Sequence, residues 1–265
     1  MRSGKRFLVA SVGVCWAILV CLSGFACSSR RVSVGLPVEE SPLVGLSPGA
    51  VFSSLPKDQT STIRFERISA EDGLSQNAVL AILQDRQGFM WFGTEDGLNK
   101  YDGYGFTVFK HDPDDRLTLS DDFVSAIYED RSGVLWVGTR SGLDHFDRVT
   151  RTFTHFEHDP NDPRSLGGKW VTAICEDHEG MLWVGTDDGG LDRLDRATNS
   201  FVHFRHDPGD LATLSDNRVA AIYEDQSGEL WIGTDVGLNR FDQNGGYFWY
   251  IHSSWNQIVK KIGIG

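Results

Sequence analysis

Apolar and polar positions along the chain fall into a quartet that recurs four times. Each quartet opens with a short apolar run: VLAILQD (79–85), VSAIYED (124–130), VTAICED (171–177) and VAAIYED (219–225). These runs are partly β-branched and end in a charge, the pattern of a strand buried on both faces. A tight turn ending in Gly88, Gly133, Gly180 or Gly228 follows. Asp at the turn entry and Gly at its end predict a hairpin. The second predicted strand carries a W-x-G-T phrase with Trp91, Trp136, Trp183 and Trp231. The third begins at Leu98, Leu143, Leu191 and Leu238. The one length change, an extra glycine at 187–190, falls in the turn before it, where chains tolerate insertion. A fourth strand, FTVFKHD, FTHFEHD or FVHFRHD, alternates with the period of a half-buried strand.

Successive tryptophans lie 45, 47 and 48 residues apart (136−91, 183−136, 231−183). That period signals a propeller or a related array, because one four-stranded sheet cannot bury both faces alone. No repeat contains a 3.6-residue apolar pattern, which excludes a helical solenoid. The predicted fold class is all-β: an incomplete β-propeller of about four blades near 78–110, 124–157, 171–204 and 219–251. An extra N-terminal strand is expected at 63–69, where IRFERIS sits at the fourth-strand position of the repeat. The last quartet has its own fourth strand at 248–251, so four quartets and a spare strand are expected to form an open arc or a strained ring. The segment 253–265 lacks the His-Asp-Pro ending and reads as an aberrant tail of a truncated product.

Ahead of the repeats, Arg2, Lys5 and Arg6 precede an uncharged run from Phe7 to Ala26. A basic start followed by an apolar stretch reads as a signal peptide or membrane anchor over 1–27, since about 20 apolar residues span a bilayer. Cys27 follows Gly24-Phe25-Ala26 and is a candidate for lipidation, although glycine stands where leucine is usual. An exported protein, periplasmic or on the outer surface and held to the membrane by its N-terminal segment, is expected. Residues 28–62, rich in Ser, Pro, Gly and Val, read as a disordered linker. Of four cysteines only Cys175 lies beyond the leader, so stability must come from packing.

Composition narrows the partners. Among 265 residues, 25 are basic and 37 acidic, a formal net charge of −12. This acidic balance argues against a nucleic-acid partner, which normally needs a basic face to meet phosphate, and none is expected.

Residues 65–251 resemble the two-component regulator propeller, a sensor input domain of hybrid histidine kinases and diguanylate cyclases. The stretch EDGLSQNAVLAILQDRQGFMWFGTEDGLNKYDGYGFTVFKHDPDD (71–115) and the later L-W-x-G-T and G-L-x-x-F-D phrases carry the resemblance. It implies an extracytoplasmic, ligand-sensing input domain and, in intact relatives, a homodimer with a membrane helix and a kinase or cyclase output. No output segment is visible in this chain, which is expected to end before one.

Several patterns invite chemistry. His111, His158 and His206, each followed by Asp-Pro, could suggest a metal, but equivalent positions on successive blades diverge radially, and Asp-Pro starts a turn. No metal and no cofactor are expected. Asp102, Asp147, Asp195 and Asp242 recur in every blade, whereas catalysis needs asymmetry; no enzyme site is expected. The tryptophans read as core rather than as sugar platforms. The positions that change type are the two before each opening valine: Asn77-Ala78, Asp122-Phe123, Lys169-Trp170 and Asn217-Arg218. Candidate ligand-binding residues are therefore Asn77, Asp122, Phe123, Lys169, Trp170, Asn217 and Arg218, ringing the mouth of the channel. Glu95, Asp96, Asp121, Asp187, Asp188 and Asp235 share that face. Such an acidic rim suits a small-molecule polyol, carbohydrate or cation better than an anion. A propeller glycosidase or lyase acting on polysaccharide, and a protein-interaction propeller, are the alternatives.

Overall fold

A computed structural model describes residues 65–243 and 245–251. The expected leader over 1–27 with Cys27, the linker over 28–62 and the tail over 253–265 lie outside these residues. No helix among the described residues is long and apolar enough to cross a membrane.

The chain forms four antiparallel sheets, each with its strands in sequence order. Blade 1 holds β1 (Val79–Gln84), β2 (Met90–Thr94), β3 (Gly97–Tyr101) and β4 (Phe106–Phe109). Blade 2 holds β5 (Val124–Glu129), β6 (Leu135–Thr139), β7 (Leu143–Asp147) and β8 (Thr152–Phe156). In blade 3 come β9 (Val171–Glu176), β10 (Leu182–Thr186), β11 (Leu191–Asp195) and β12 (Ser200–Phe204). Blade 4 is made of β13 (Val219–Glu224), β14 (Leu230–Thr234), β15 (Leu238–Asp242) and β16 (Tyr247–Ile251). The spare strand expected at 63–69 does not form over its described part, since residues 65–69 belong to no sheet. The edge it was expected to complete is taken: β15 of the last blade already pairs with β16.

Turn chemistry explains the first hairpin of every blade. Oδ1 of Asp85 accepts the N–H groups of Gln87 and Phe89, while Oδ2 accepts the indole N–H of Trp91 at 2.8 Å. Asp130, Asp177 and Asp225 repeat this set with Trp136, Trp183 and Trp231. One carboxylate thus closes the turn and satisfies the one polar atom of a core tryptophan.

Three hydrophobic clusters fill three seams. Trp91 and Leu98 of blade 1 pack with Leu119, Val124, Leu135 and Phe146 of the next repeat. Trp136 and Leu143 meet Leu166, Val171, Leu182 and Leu194, and Trp183 and Leu191 meet Leu214, Val219, Leu230 and Phe241. Each seam is tight at the W-x-G-T glycine. A Cβ on Gly93, Gly138 or Gly185 would lie 2.7, 2.6 or 2.5 Å from Cγ1 of the next blade's opening valine. On Gly233 it would meet nothing nearer than Ala221 Cβ at 3.7 Å. The glycine is therefore required where a further blade follows.

Polar contacts tie the seams as well. The Arg148 guanidinium reaches back to Asp85 at 2.7 Å and to Glu129 of its own blade at 2.8 Å. Arg196 does the same with Asp130 and Glu176, at 2.7 and 3.1 Å. At the third seam the corresponding residue is Gln243, whose buried Nε2 finds no partner. Glu224 there pairs with His178 at 2.6 Å instead. Inner strands pack in succession, β1 on β5, β5 on β9 and β9 on β13. Among the described residues no comparable contact joins β13 to β1, so the four blades form an open arc.

Candidate functional site

The loops before the first strands and the turns between second and third strands lie side by side. Backbone bonds show this: the Gly97 N–H donates to the Asp122 carbonyl at 2.6 Å and Gly190 to Asn217 at 2.9 Å. Asp187 donates to Trp170 at 2.9 Å and Asp235 to Arg218 at 3.3 Å. A shift in register at the start of each first strand, a β-bulge, re-aims the residue after the opening valine. In the middle blades that residue bears a hydroxyl, Ser125 or Thr172, which donates to the carbonyl of Val171 or Val219 on the next blade.

The candidate residues divide into two groups. Asn77, Asp122 and Asn217 serve their own loops. Asn77 Oδ1 accepts the Ala70 N–H at 2.9 Å. Asp122 and Asn217 accept the backbone N–H of His111 and His206 at 2.8 and 2.7 Å, fixing the end of one fourth strand against the next repeat. Arg218 is neutralised in place. Its Nε lies 2.6 Å from Asp187 and its Nη1 3.2 Å from Asp235. Those two carboxylates raise its already high pKa further, so it stays a cation.

Phe123, Lys169 and Trp170 form the second group, and the structure adds Arg140 to it. Phe123 and Trp170, from successive repeats, meet edge to face at 5.6 Å between centroids. Cζ of Arg140 lies 3.8 Å from the Phe123 ring centre and 5.1 Å from that of Trp170, within cation–π range. Both rings are half-buried and the arginine is exposed. The Trp170 indole nitrogen is enclosed and has no acceptor. Lys169 is exposed beside it. Arg140 also departs from the repeat, since its counterparts in the other blades are Glu95, Asp187 and Asp235. A search limited to the two residues before each opening valine passes over that signal.

Much of the acidic rim is occupied. Glu95 accepts from Gln76 at 3.2 Å, and Asp96 pairs with Lys110 at 2.7 Å. Asp121 accepts the Phe123 N–H at 2.7 Å and the Ser141 hydroxyl at 3.1 Å, while Asp187 and Asp235 hold Arg218. Asp188 is exposed and makes no ion pair among the described residues.

The other repeated polar residues have local partners. Imidazole Nδ1 of His111, His158 and His206 bonds to the carbonyl of Leu119, Leu166 and Leu214, at 2.7, 2.6 and 2.7 Å. Among the described residues no three His, Cys, Asp or Glu side chains converge on a metal position. Backbone N–H groups at Gly105, Tyr104, Val149 and Thr150 lower the pKa values of Asp102 and Asp147, and Thr198 and Ala197 lower that of Asp195. These are turn-closing carboxylates. Burial pushes the Cys175 thiol up to about 12, so it remains protonated and unreactive.

Two further histidines clamp the long loops between blades. His155 places Nδ1 2.7 Å from the buried Asp144 carboxylate and Nε2 2.8 Å from the Arg116 carbonyl. His203 bridges Asp192 and the Pro163 carbonyl at 2.6 and 2.8 Å. Both partners of each ring are acceptors, so a ring that satisfies both carries two protons. The bond to Asp144 or Asp192 raises each histidine pKa above its ordinary 6.5.

Comparison with known proteins places this arrangement. The family model described as two component regulator propeller matches residues 73–96, 118–141, 165–188 and 213–236. Each match runs from the loop before a first strand into the turn after a second, so it spans the candidate positions. The extracellular domain of the putative hybrid two component system BT3049 from B. thetaiotaomicron superposes with a TM-score of 0.63 at 33% identity. That likeness covers 71% of this chain and 26% of the other. The extracellular domain of BT4673 from the same organism gives a TM-score of 0.54 at 26% identity, covering 64% and 22%. Histidine kinase P4 of Formosa agariphila is 40% identical over 80 residues, 29% of this chain and 6% of that protein. The chain thus spans about a quarter, or far less, of the length of these relatives.

Proposed function

The described part of this chain is a two-component regulator propeller, and from that premise we propose that it is an extracytoplasmic, ligand-sensing input domain without catalysis of its own. The observation that carries the reading is the contrast within one repeat. Seam residues recur from blade to blade, while the loops above them change type and gather Phe123, Arg140, Lys169 and Trp170 into one group at the surface. A scaffold that repeats and a mouth that does not is the division of labour expected of a binding module. The structural relatives are extracellular domains of signalling systems, which supports an exported location and a signalling role. In an intact sensor, a ligand would act by binding one of two arrangements more tightly than the other. The ligand would be a small molecule, with carbohydrates the first class to examine.

A thermal-shift panel of mono- and oligosaccharides and small organic acids against the full chain tests this. At least one compound is expected to raise the midpoint in a concentration-dependent way, since a ligand bound 100-fold above its Kd adds about 2.7 kcal/mol. Release of new reducing ends from a glycan would replace the sensing reading with that of a propeller enzyme. A reporter enzyme active only outside the cytoplasm, fused after residue 251, should be active in cells; an inactive, stable fusion would overturn the exported location.

A further inference from the structure

We infer that the loops over the seam between blades 2 and 3 bind a carboxylate carried on a ring, with Arg140 holding the carboxylate and Trp170 contributing the platform. The inference rests on the sensing reading and names the chemistry of its ligand.

The charges at the mouth point this way first. Arg140 makes no hydrogen bond or ion pair among the described residues; its recorded partners are two aromatic rings. Cζ of Arg140 lies over the Phe123 ring while none of its N–H groups is bonded among the described residues, so the donors that can meet a planar carboxylate in two parallel bonds are available. Lys169 adds a second cation, with no ion pair among the described residues. Arg218, one blade on, is instead committed to Asp187 and Asp235. A cation sits unpaired on one half of the mouth and paired on the other.

The Trp170 indole N–H is the second observation. It is enclosed without an acceptor, although the four core tryptophans all donate to an aspartate. A shift of the half-buried ring that lets an incoming oxygen reach this donor would satisfy it. A ring bearing oxygens supplies both the stacking surface and that acceptor.

The alternatives fit less well. A neutral polyol would leave Arg140 and Lys169 without a countercharge; of the carboxylates near them, Asp121 is engaged by Phe123 and Ser141, and Asp188 is exposed and without an ion pair among the described residues. A cationic ligand would meet Arg140 and Lys169 directly. This reverses the preference for neutral or cationic ligands that the count of rim carboxylates alone suggested.

The Trp170 indole 1H–15N resonance of the full chain, followed during titration with galacturonate, benzoate, galactose and sulfate, tests the assignment. Galacturonate, benzoate or both are expected to shift it, with galactose and sulfate weaker by about ten- to a hundredfold, as the loss of a charged hydrogen-bond pair implies. The better of the two acids identifies the ring as sugar or aromatic. Arg140→Gln should weaken the acid response by the same factor. Trp170→Phe, followed by thermal shift because it lacks the indole, should weaken acid binding while removing the orphan donor. Both positions lie in loops, and near-UV circular dichroism reports whether the fold is kept. Galactose or sulfate matching the acids, an unaltered response in R140Q, or no shift from any of the four overturns the assignment. A compound from the wider panel that binds elsewhere on the arc would then leave the sensing reading standing, whereas failure of the whole panel removes both.

Discussion

Below the mouth, blades 2 and 3 meet through Asp130, Trp136, Gly138, Val171 and Arg196. Every one has a counterpart at the seam between blades 1 and 2: Asp85, Trp91, Gly93, Val124 and Arg148. Above that same seam, Phe123, Arg140 and Trp170 are replaced in the other blades by Ala78 and Arg218, by Glu95, Asp187 and Asp235. The backbone is shared, so the difference lies in what each side chain answers to. Seam residues answer to the next blade, which is always the same. At the mouth, Phe123, Arg140 and Trp170 answer to one another, and the repeat does not set their type.

The largest break in this comparison should come from Asp130→Ala. It removes a buried carboxylate that holds the Trp136 indole, Arg196 and two turn N–H groups, and stranding such partners costs roughly 3–5 kcal/mol. Chemical denaturation measures it. Gly138→Ala is next. The new methyl would meet Val171 at 2.6 Å, and overpacking of this kind costs about 1–3 kcal/mol. Gly233→Ala is the control: its methyl has ordinary space, and alanine should be neutral or stabilising by up to about 1 kcal/mol. Equal losses at the two glycines would mean that the glycine serves its own strand rather than the neighbouring blade.

Smaller effects sharpen the comparison among seams. Gln243→Arg should restore at the third seam the clamp that Arg148 and Arg196 provide at the first two, raising stability by about 1 kcal/mol in the same denaturation experiment. The histidine clamps respond to pH. For His155 the neighbouring groups are Asp144 and Glu157, which favour its charge, and the Arg116 carbonyl. For His203 they are Asp192 and the Pro163 carbonyl, with Arg205 opposing. A pKa raised by folding means that the clamp's contribution is fully present below pH 6.5 and lost as pH rises through the folded value. The melting midpoint should therefore fall as pH rises past that point, and His155→Gln with His203→Gln should flatten the fall. The buried turn carboxylates behave in the opposite sense. Burial raises the Asp85 and Asp130 pKa values, but the indole and guanidinium donors outweigh it and hold both low. Their contribution is lost only in acid.

Much of this fold is legible in the amino-acid sequence, because each blade states its strands twice over, once in periodicity and once in turn residues. The four quartets and the place of the W-x-G-T phrase in the second strand follow from spacing and turn chemistry. Residues 65–69 mislead because a fourth-strand pattern says nothing about whether a partner edge is free, and β16 holds that edge here. The mouth is legible only in position. Variation points to 122–123 and 169–170, whose rings do meet, yet it does not separate Asp122 and Asn217, which close loops, from Phe123 and Trp170, which stack with Arg140. Counting carboxylates on the rim overstates its negative charge, since pairing with Lys110 and Arg218 is a matter of three-dimensional contact.

The smallest stability effects belong to the mouth, and they bear on the central claim: repeated residues hold the arc, and the group of Phe123, Arg140 and Trp170 is not needed to hold it. Unfolding free energies of Asp130→Ala, Arg140→Gln and Trp170→Phe, measured side by side in the full chain, test it without reference to any ligand. A loss of several kcal/mol is expected for the first and changes within about 0.5 kcal/mol for the other two. Losses at Arg140 and Trp170 as large as that at Asp130 would show the aromatic–cation group to be part of the scaffold, and the binding mouth would have to be sought elsewhere.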